Sequence, residues 1–365
     1  MASKLYTGNH DFTSATVTGV SGQITYDAIV DSAGGGDYTT LGAAITAGAV
    51  TILLRGQTSE TAPITLPSYC VIHGEDGNEW VIMNANLLTV GLNNVLSNFF
   101  IRSLRTGTSI IVGGSNVRFE GMRFQNNSGT NPASLSGVID DNNVAQTRVQ
   151  FNNCQMQIQN NTTDIPNRAG IQIQNAGSTA WQINNMTFYG QGAIYSCKVV
   201  VCAADGLLMN NIYISGIGQA NDPSFIISGS GCCLSNFHVE STSVFDVTIS
   251  GDRNELSNWR LEHIDTDILV DGLYNNLTNI SCEGQLIIGA AAHLNQFSNS
   301  QYSQGIAVNG DNNTISAIRA GVDAGGGAVT ISTAGTADNT NITGCRVDAT
   351  ISDSGTNTSA DFVIY

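Results

Sequence analysis

The sequence is poor in proline, in charged residues and above all in basic ones. Only 5 of its 365 residues are proline, 12% are charged, and 13 Lys and Arg stand against 29 Asp and Glu, for a formal net charge of −16. Nucleic-acid and anionic membrane surfaces are bound through clustered Lys and Arg, so both partners are disfavoured. No run of about 18 apolar residues occurs, and we expect no membrane insertion.

The N-terminus lacks the apolar stretch of a secretory leader, because residues 1–4 are followed by polar residues. We therefore expect a chain made without a cleaved export signal. The eight cysteines have neither a regular spacing nor the paired spacing of metal ligands. Cys154, Cys282 and Cys345 occupy apolar positions of a repeat, and we predict buried free thiols.

Glycine and apolar residues are abundant, with 40 Gly and 41% hydrophobic residues. This composition is typical of an ordered chain with many turns. One pattern recurs: Asn, any residue, apolar, Ser or Thr, Asn, apolar, any residue, apolar. Its clearest copies are residues 94–101, 254–261 and 275–282. The central position recurs every 18–32 residues, at Asn98, Gly121, Asn153, Asn185, Asn211, Asn236, Asn258, Asn279, Asn299, Ala317 and Gly344.

Each repeat predicts at least two short strands, because its apolar residues alternate and are then interrupted by a turn. A single unit cannot bury its apolar face alone, and stacking on its neighbours does so. The sequence therefore predicts an all-β fold, a right-handed parallel β-helix of about ten coils. The recurring Asn tolerates left-handed backbone angles and can bond to the Asn of the next coil, which predicts a structural ladder.

The chain divides into three predicted segments. Residues 1–25 fit no coil and are interpreted as an N-terminal attachment arm. Residues 26–90 form the start of the β-helix with its cap, a short helix within residues 38–48 that begins after Thr39 or Thr40. Residues 91–365 form the remaining coils.

The start of the β-helix resembles a known family. Gly-Gly-Gly-Asp-Tyr-Thr-Thr-Leu-Gly-Ala-Ala-Ile at residues 34–45, with residues 52–60, 64–66 and 72–75, is similar to the opening region of pectin-lyase-like β-helices, particularly pectinesterases. The resemblance covers about residues 25–85 and implies the fold. The catalytic Asp pair, the Gln-bearing segment and the substrate-binding Arg segment of pectinesterases have no counterpart, so no catalytic residue is carried over.

An acidic corner is predicted four residues after the central Asn, where three consecutive coils carry Glu240, Glu262 and Glu283. Parallel stacking places them about 5 Å apart, with Asp246 and Asp267 across the following corner. Three interpretations stay open. The carboxylates form a catalytic pair with the spacing of a retaining glycosidase, they hold Ca²⁺, or they are solvated. Beyond that Ca²⁺ we expect no metal or cofactor.

Two insertions, residues 126–132 and 160–168, predict loops on one edge of the rod. Their amides and Arg side chain could hydrogen-bond a sugar chain, and nearby aromatic rings could stack on it. The alternative is ordinary turn chemistry. The candidate binding residues are Asn127, Asn131, Asn161, Arg168, Trp181 and Tyr189.

A second resemblance concerns architecture. A Gly-, Ser-, Thr- and Asn-rich β-helix without a leader looks like the tail spikes and tail fibres of bacterial viruses, which are trimeric rods. This implies a homotrimer on the virion surface that contacts host polysaccharide and joins other virion proteins through the N-terminal segment. The alternatives are a polysaccharide lyase or glycoside hydrolase, and a purely structural capsid-decoration or filament protein.

Overall fold

A computed structural model describes residues 25–364, apart from 85, 129, 131, 160–166, 192–196, 218–222, 241–244, 263–265, 321–329, 334–336, 348–349 and 355–357. The predicted arm at residues 1–25 thus lies almost entirely outside the described residues. No helix among those described has the length and apolar character needed to cross a membrane.

The described residues form one short helix, α1, at Leu41–Thr46, and 35 strands. They are β1 Ala28–Asp31, β2 Thr51–Arg55, β3 Gln57–Ser59, β4 Ile64–Thr65, β5 Val71–Gly74, β6 Trp80–Ile82, β7 Leu88–Val90, β8 Val95–Ser97, β9 Phe100–Ser103, β10 Ile110–Val112, β11 Arg118–Glu120, β12 Arg123–Asn126, β13 Ser136–Asp140, β14 Gln150–Asn152, β15 Gln155–Gln159, β16 Arg168–Ile173 and β17 Gln182–Gln191. They continue as β18 Lys198–Cys202, β19 Leu208–Ser215, β20 Phe225–Ile227, β21 Cys233–Glu240, β22 Val247–Ile249, β23 Glu255–Glu262, β24 Ile268–Val270, β25 Asn276–Cys282, β26 Gln285–Ile288, β27 Gln296–Ser298, β28 Gln301–Tyr302, β29 Gly305–Val308, β30 Thr314–Ser316, β31 Arg319–Ala320, β32 Thr330–Thr333, β33 Asn341–Val347, β34 Thr350–Asp353 and β35 Ser359–Ile364.

The strands stack in parallel as three faces of a β-helix, which confirms the predicted fold. Within each coil the chain passes along a first face, such as β8, then a second face, such as β9, then a third face, such as β10. In β17, β19, β21, β23 and β25 one strand bends across the first and second faces. Within the described ranges the third face is a 13-stranded sheet, so the coils exceed the ten predicted, because residues 26–90 contribute coils themselves.

The corner between the first and second faces, the first corner, is formed by the predicted Asn row. All eleven central positions have a φ between 49° and 61°, the left-handed region. Asn185 Nδ2 donates to Asn153 Oδ1 at 3.1 Å, and Asn211 Nδ2 donates to Asn185 Oδ1 at 2.8 Å. Further along the row, Asn279 Nδ2 donates to Asn258 Oδ1 in the same way at 3.1 Å. Asn suits this row because it accepts left-handed angles and pairs with itself.

The first Asn of the motif forms a second, buried ladder. Asn275 Oδ1 accepts from the backbone N–H of Asn254 at 2.8 Å, and Asn295 Oδ1 accepts from that of Asn275 at 2.7 Å. These side chains are fully buried. They satisfy backbone donors that would otherwise be buried without an acceptor at the turn between the third and first faces.

The interior between the faces is filled by aligned apolar side chains. Phe119 stacks on Phe151 with ring centroids 4.6 Å apart, and Phe237 stacks on Trp259 at 4.2 Å. The eight cysteines are free thiols, and all except Cys233 are buried. Burial raises the pKa of the Cys154 thiol to about 12, so it stays protonated near neutral pH. The predicted free thiols are therefore present.

The N-terminal end is closed by α1 and a buried carboxylate. Thr40 is the N-cap and accepts from the N–H of Ala43, as one of the two predicted caps. Glu60 accepts from the backbone N–H groups of Leu41 and Gly42 at 2.8 and 3.1 Å, and from the Thr58 hydroxyl. A carboxylate at a helix N-terminus satisfies donors that the helix itself leaves open.

Candidate functional site

The outer surface of the second face carries the candidate site. Residues two and four positions after each central Asn point outward, as alternation along a strand requires. The first of these outer rows runs through Phe100, Arg123, Gln155, Thr187, Tyr213, His238, Arg260 and Ser281. The second outer row runs through Arg102, Gln125, Gln157, Tyr189, Ser215, Glu240 and Glu262.

One imidazole and two carboxylates meet on these rows, and we name His238, Glu240 and Glu262 the HEE cluster. His238 Nε2 lies 3.4 Å from Glu240 Oε1 and 3.4 Å from Glu262 Oε1. One ligand atom of each residue lies within 4.8 Å of the others. His238 and Glu240 share strand β21, while Glu262 is paired with Glu240 on the next coil.

Two further side chains hold the HEE cluster in place. Tyr213 donates its hydroxyl to Glu240 Oε2 at 2.6 Å, and its ring meets the His238 ring edge-on at 5.5 Å. The hydrogen bond to Glu240 raises the pKa of Tyr213, so the phenol remains a donor. Arg260 Nε contacts Glu262 Oε1 from an exposed position. The predicted stacking of Glu240 and Glu262 is thus observed, with a cation and a phenol bonded to the pair.

The other acidic candidates lie elsewhere on the corner. Asp246 Oδ1 accepts from the backbone N–H of Asp267 at 3.0 Å, and Asp267 Oδ1 accepts from that of Gln285 at 2.9 Å. Both carboxylates therefore bond to the backbone at the start of the third face. Glu283 is exposed in the turn after β25. The structure unites only Glu240 and Glu262 of the five predicted acids in the HEE cluster.

Planar polar and aromatic groups continue the outer rows away from the HEE cluster. Gln125 Nε2 donates to Gln157 Oε1 at 2.8 Å, and the half-buried Tyr189 places its hydroxyl 3.5 Å from the same oxygen. Further along, the Arg123 guanidinium lies over the Phe100 ring, 4.4 Å from its centroid. The result is a continuous, partly exposed strip of amide, phenol, imidazole and guanidinium groups.

The loop candidates are placed differently from the prediction. Arg168 is 1% exposed, and its guanidinium donates to Ser128 O and Thr130 O at 3.1 Å as well as to Thr106 O and Asn126 Oδ1. It therefore ties the chain near the first insertion to an adjacent coil, and its burial lowers the pKa of the guanidinium to about 10. This corrects the solvent-facing position expected for Arg168, because carbonyl groups already occupy its donors.

Of the remaining loop candidates, Asn127 is half-buried at the end of β12, while Asn131 and Asn161 lie outside the described residues. Trp181 is fully buried beside Phe151 in the interior. This corrects the expectation of an open stacking face, because an apolar residue ahead of β17 points into the core. Tyr189 is the one aromatic candidate on the outer surface.

Sequence reasoning did not single out Tyr213, although the signal for it existed. Asn211 is a central position of the repeat, and the residue two places later faces outward in every coil with a regular second-face strand. The same spacing places His238, Arg260 and Ser281 on the outer surface of the three following coils. Tyr213 belongs to the preceding coil and completes the surroundings of Glu240.

The geometry defines a parallel β-helix protein with an ionisable cluster on one outer face. No protein-family model matches the chain, and no curated protein sequence matches it. Among solved structures, the A-module of the mannuronan C-5 epimerase AlgE6 of Azotobacter vinelandii has 9% identity and a TM-score of 0.46 over 88% of this chain and 92% of that one. The periplasmic alginate epimerase AlgG has 11% identity and a TM-score of 0.47 over 84% and 78%.

Tailspike protein 3 of bacteriophage CBA120 has 12% identity and a TM-score of 0.43 over 87% of this chain. The chain spans 57% of that tailspike. Such identities assign no site residue here, and the β-helix is established by the strand pairing described above.

Proposed function

We propose that the second face binds an extended glycan along its outer rows. The observation that carries the proposal is the strip formed by Gln157, Tyr189, Tyr213 and His238 on four successive coils. The first two lie in the second outer row and the last two in the first outer row. Parallel strands repeat about every 4.8 Å, so this surface offers the same kinds of group again and again along the rod. A linear polymer of sugar units presents its hydroxyls and C–H faces in the same repeating way.

The chemistry of the strip suits sugars. A half-exposed phenol offers an apolar ring face together with a hydroxyl, and side-chain amides offer both donors and acceptors. Binding sites combine apolar ring surface with a few placed polar groups, as this strip does. The net charge of −16 disfavours acidic polymers through repulsion, so we propose a neutral polysaccharide.

Alanine at Tyr189 or Tyr213 is expected to weaken glycan binding about tenfold, since each loses a ring and a hydroxyl worth roughly 1.4 kcal/mol. A panel of neutral polysaccharides screened on an array, followed by calorimetry on the binders, measures this. Tyr274→Ala is the matched control, because Tyr274 is 52% exposed but lies between the third and first faces. Equal loss in all three variants, or none, would contradict the assignment of this face.

The biological setting proposed from the sequence is a trimeric tail spike or fibre on a virion surface, joined to its neighbours by the N-terminal segment. Light scattering on the full chain is expected to give three times the mass of 38.3 kDa. A monomeric mass would remove the appendage proposal and leave a free-standing glycan-binding protein.

A second candidate function is cleavage of the same polymer, and the adjacent carboxylates of Glu240 and Glu262 favour it. Two carboxyl groups flanking a glycosidic bond are the usual arrangement in glycoside hydrolases. Each glycan that binds is therefore incubated with the protein and assayed for new reducing ends and for unsaturated products. Turnover that survives Glu240→Gln together with Glu262→Gln would exclude this pair as its source.

A further inference from the structure

The HEE cluster has the wrong spacing for a good ion pair. His238 Nε2 is 3.4 Å from one oxygen of Glu240 and 3.4 Å from one oxygen of Glu262. Charge-assisted N–H···O bonds are shorter, at about 2.7–2.9 Å. The imidazole thus faces two carboxylate oxygens at equal distance without a close contact to either.

The same spacing suits a shared metal ion. Zinc binds imidazole nitrogen at about 2.0–2.1 Å and carboxylate oxygen at about 2.0–2.2 Å in tetrahedral geometry, which separates neighbouring ligand atoms by about 3.4 Å. Both N···O distances, at 3.4 Å, equal that tetrahedral edge. Each of the three residues offers a ligand atom within 4.8 Å of the others.

We propose that His238, Glu240 and Glu262 bind one divalent transition-metal ion, with Zn²⁺ the best suited. Imidazole is a ligand for zinc and its neighbours, whereas Ca²⁺ takes six to eight oxygens, so the nitrogen favours zinc over the calcium considered from the sequence. The three side chains are 28–47% exposed, which leaves a fourth position open to water or a ligand. The proposal does not depend on glycan binding.

The surroundings of the cluster match a metal site in one respect and oppose it in another. Tyr213 bonds to Glu240 Oε2 and so leaves Oε1, the oxygen that faces His238, available to an ion. Such outer hydrogen bonds orient metal ligands. Arg260 instead contacts Glu262 Oε1, the oxygen the ion would use. Because the Arg260 side chain is 67% exposed, it can turn into solvent when the ion binds.

Arg260 therefore provides a test with a distinctive direction. Removing a competing cation from Glu262 is expected to tighten metal binding several-fold in Arg260→Ala. Removing a ligand in His238→Ala or Glu262→Gln is expected to weaken it about a hundredfold or more, beyond the 10- to 100-fold loss typical of an outer partner. A loose cloud of counter-ions around the acidic surface would not depend on the imidazole in this way.

The experiment titrates ZnCl₂ into chelator-treated full-length protein by calorimetry, with no glycan present, so its failure is separate from failure of the glycan proposal. His293→Ala is the matched control, because His293 is another partly exposed histidine beside a carboxylate, with Nδ1 3.7 Å from Asp311. We expect one site that His238→Ala removes and His293→Ala leaves unchanged. Replacing Zn²⁺ with Co²⁺ should give the intense visible absorption of a four-coordinate ion. Circular dichroism melting confirms that each variant is folded.

Three results would each overturn the proposal. The first is a wild-type titration with no saturable Zn²⁺ site. The second is equal affinity in wild type and His238→Ala, and the third is weaker instead of tighter binding in Arg260→Ala.

Discussion

Trp259→Ala is expected to lower the free energy of unfolding by about 3–5 kcal/mol, the usual cost of removing a buried Trp. The side chain is 2% exposed, stacks on Phe237 at 4.2 Å and meets Phe225 edge-on at 5.8 Å. Its indole N–H also donates to Leu234 O at 3.0 Å, so truncation leaves a buried carbonyl without this donor. Urea denaturation measures the loss.

The same substitution should act locally along the rod. In a solenoid, each coil contacts only its neighbours, so stability is a sum of nearest-neighbour interfaces. Hydrogen exchange is expected to accelerate in the coils of Phe237 and Ile280, which adjoin Trp259, and to stay slow near Phe119 and Phe151. Tyr274→Ala, an exposed aromatic on a neighbouring coil, is the control. A loss under 1 kcal/mol, or uniform acceleration over all coils, would show that the coils do not behave as separate packing units.

The first corner was predictable because its backbone angle selects a residue type. Asn readily adopts left-handed backbone angles, and its side chain can bond to the Asn of the next coil. The geometry of this corner therefore leaves a recognisable pattern in the sequence. The three departures, Gly121, Ala317 and Gly344, were still found from the flanking residues and also have positive φ. Counting four residues from each central Asn also predicted that Glu240 and Glu262 stack on adjacent coils.

The corner between the third and first faces has an equally regular backbone, but its left-handed residue left no pattern in the sequence, and only the buried Asn that follows this residue in several coils is part of the motif. Its left-handed positions are Tyr69, Asn93, Asn116, Arg148, Ala180, Gly206, Gly231, Arg253, Tyr274, Leu294, Asn312 and Asn339. Here the backbone does the bonding, as when the N–H of Tyr274 donates to His293 O on the next coil. Because the side chains are not needed for the ladder, their types vary and no motif marks the row.

The direction of polar side chains was the least predictable feature of the site. Arg168 was expected at the surface because it lies in an Asn-rich insertion, yet backbone carbonyls surround its guanidinium. Asp246 and Asp267 were expected to join the acidic corner, yet each accepts a backbone N–H of the following coil. The register of the strands can be read from a repeat. Whether a polar side chain points into solvent or bonds to a nearby backbone group depends on turn geometry, which the repeat does not encode.

Gly251→Ala is expected to cost about 3 kcal/mol or more, at the upper end for inserting atoms into a packed interior. Gly229, Gly251 and Gly272 lie one above another near the turn that follows the third face. A Cβ on Gly251 would lie 1.9 Å from Gly229 O, and one on Gly272 would lie 2.0 Å from Gly251 O. The obstructing atoms belong to the backbone, so no side-chain rotation relieves the clash and the coils must separate.

Gly231→Ala separates this steric effect from the general cost of losing a glycine. Gly231 has a φ of 65° with nothing within 4 Å of an added Cβ, so its substitution costs only the left-handed strain of about 1–2 kcal/mol. Chemical denaturation of both variants should therefore rank Gly251→Ala well below Gly231→Ala in stability. If the two cost the same, the coils do not approach closely at Gly251. If the order holds, these glycines set how tightly successive coils stack, and thereby the spacing of Tyr213, His238 and Arg260 on the second face.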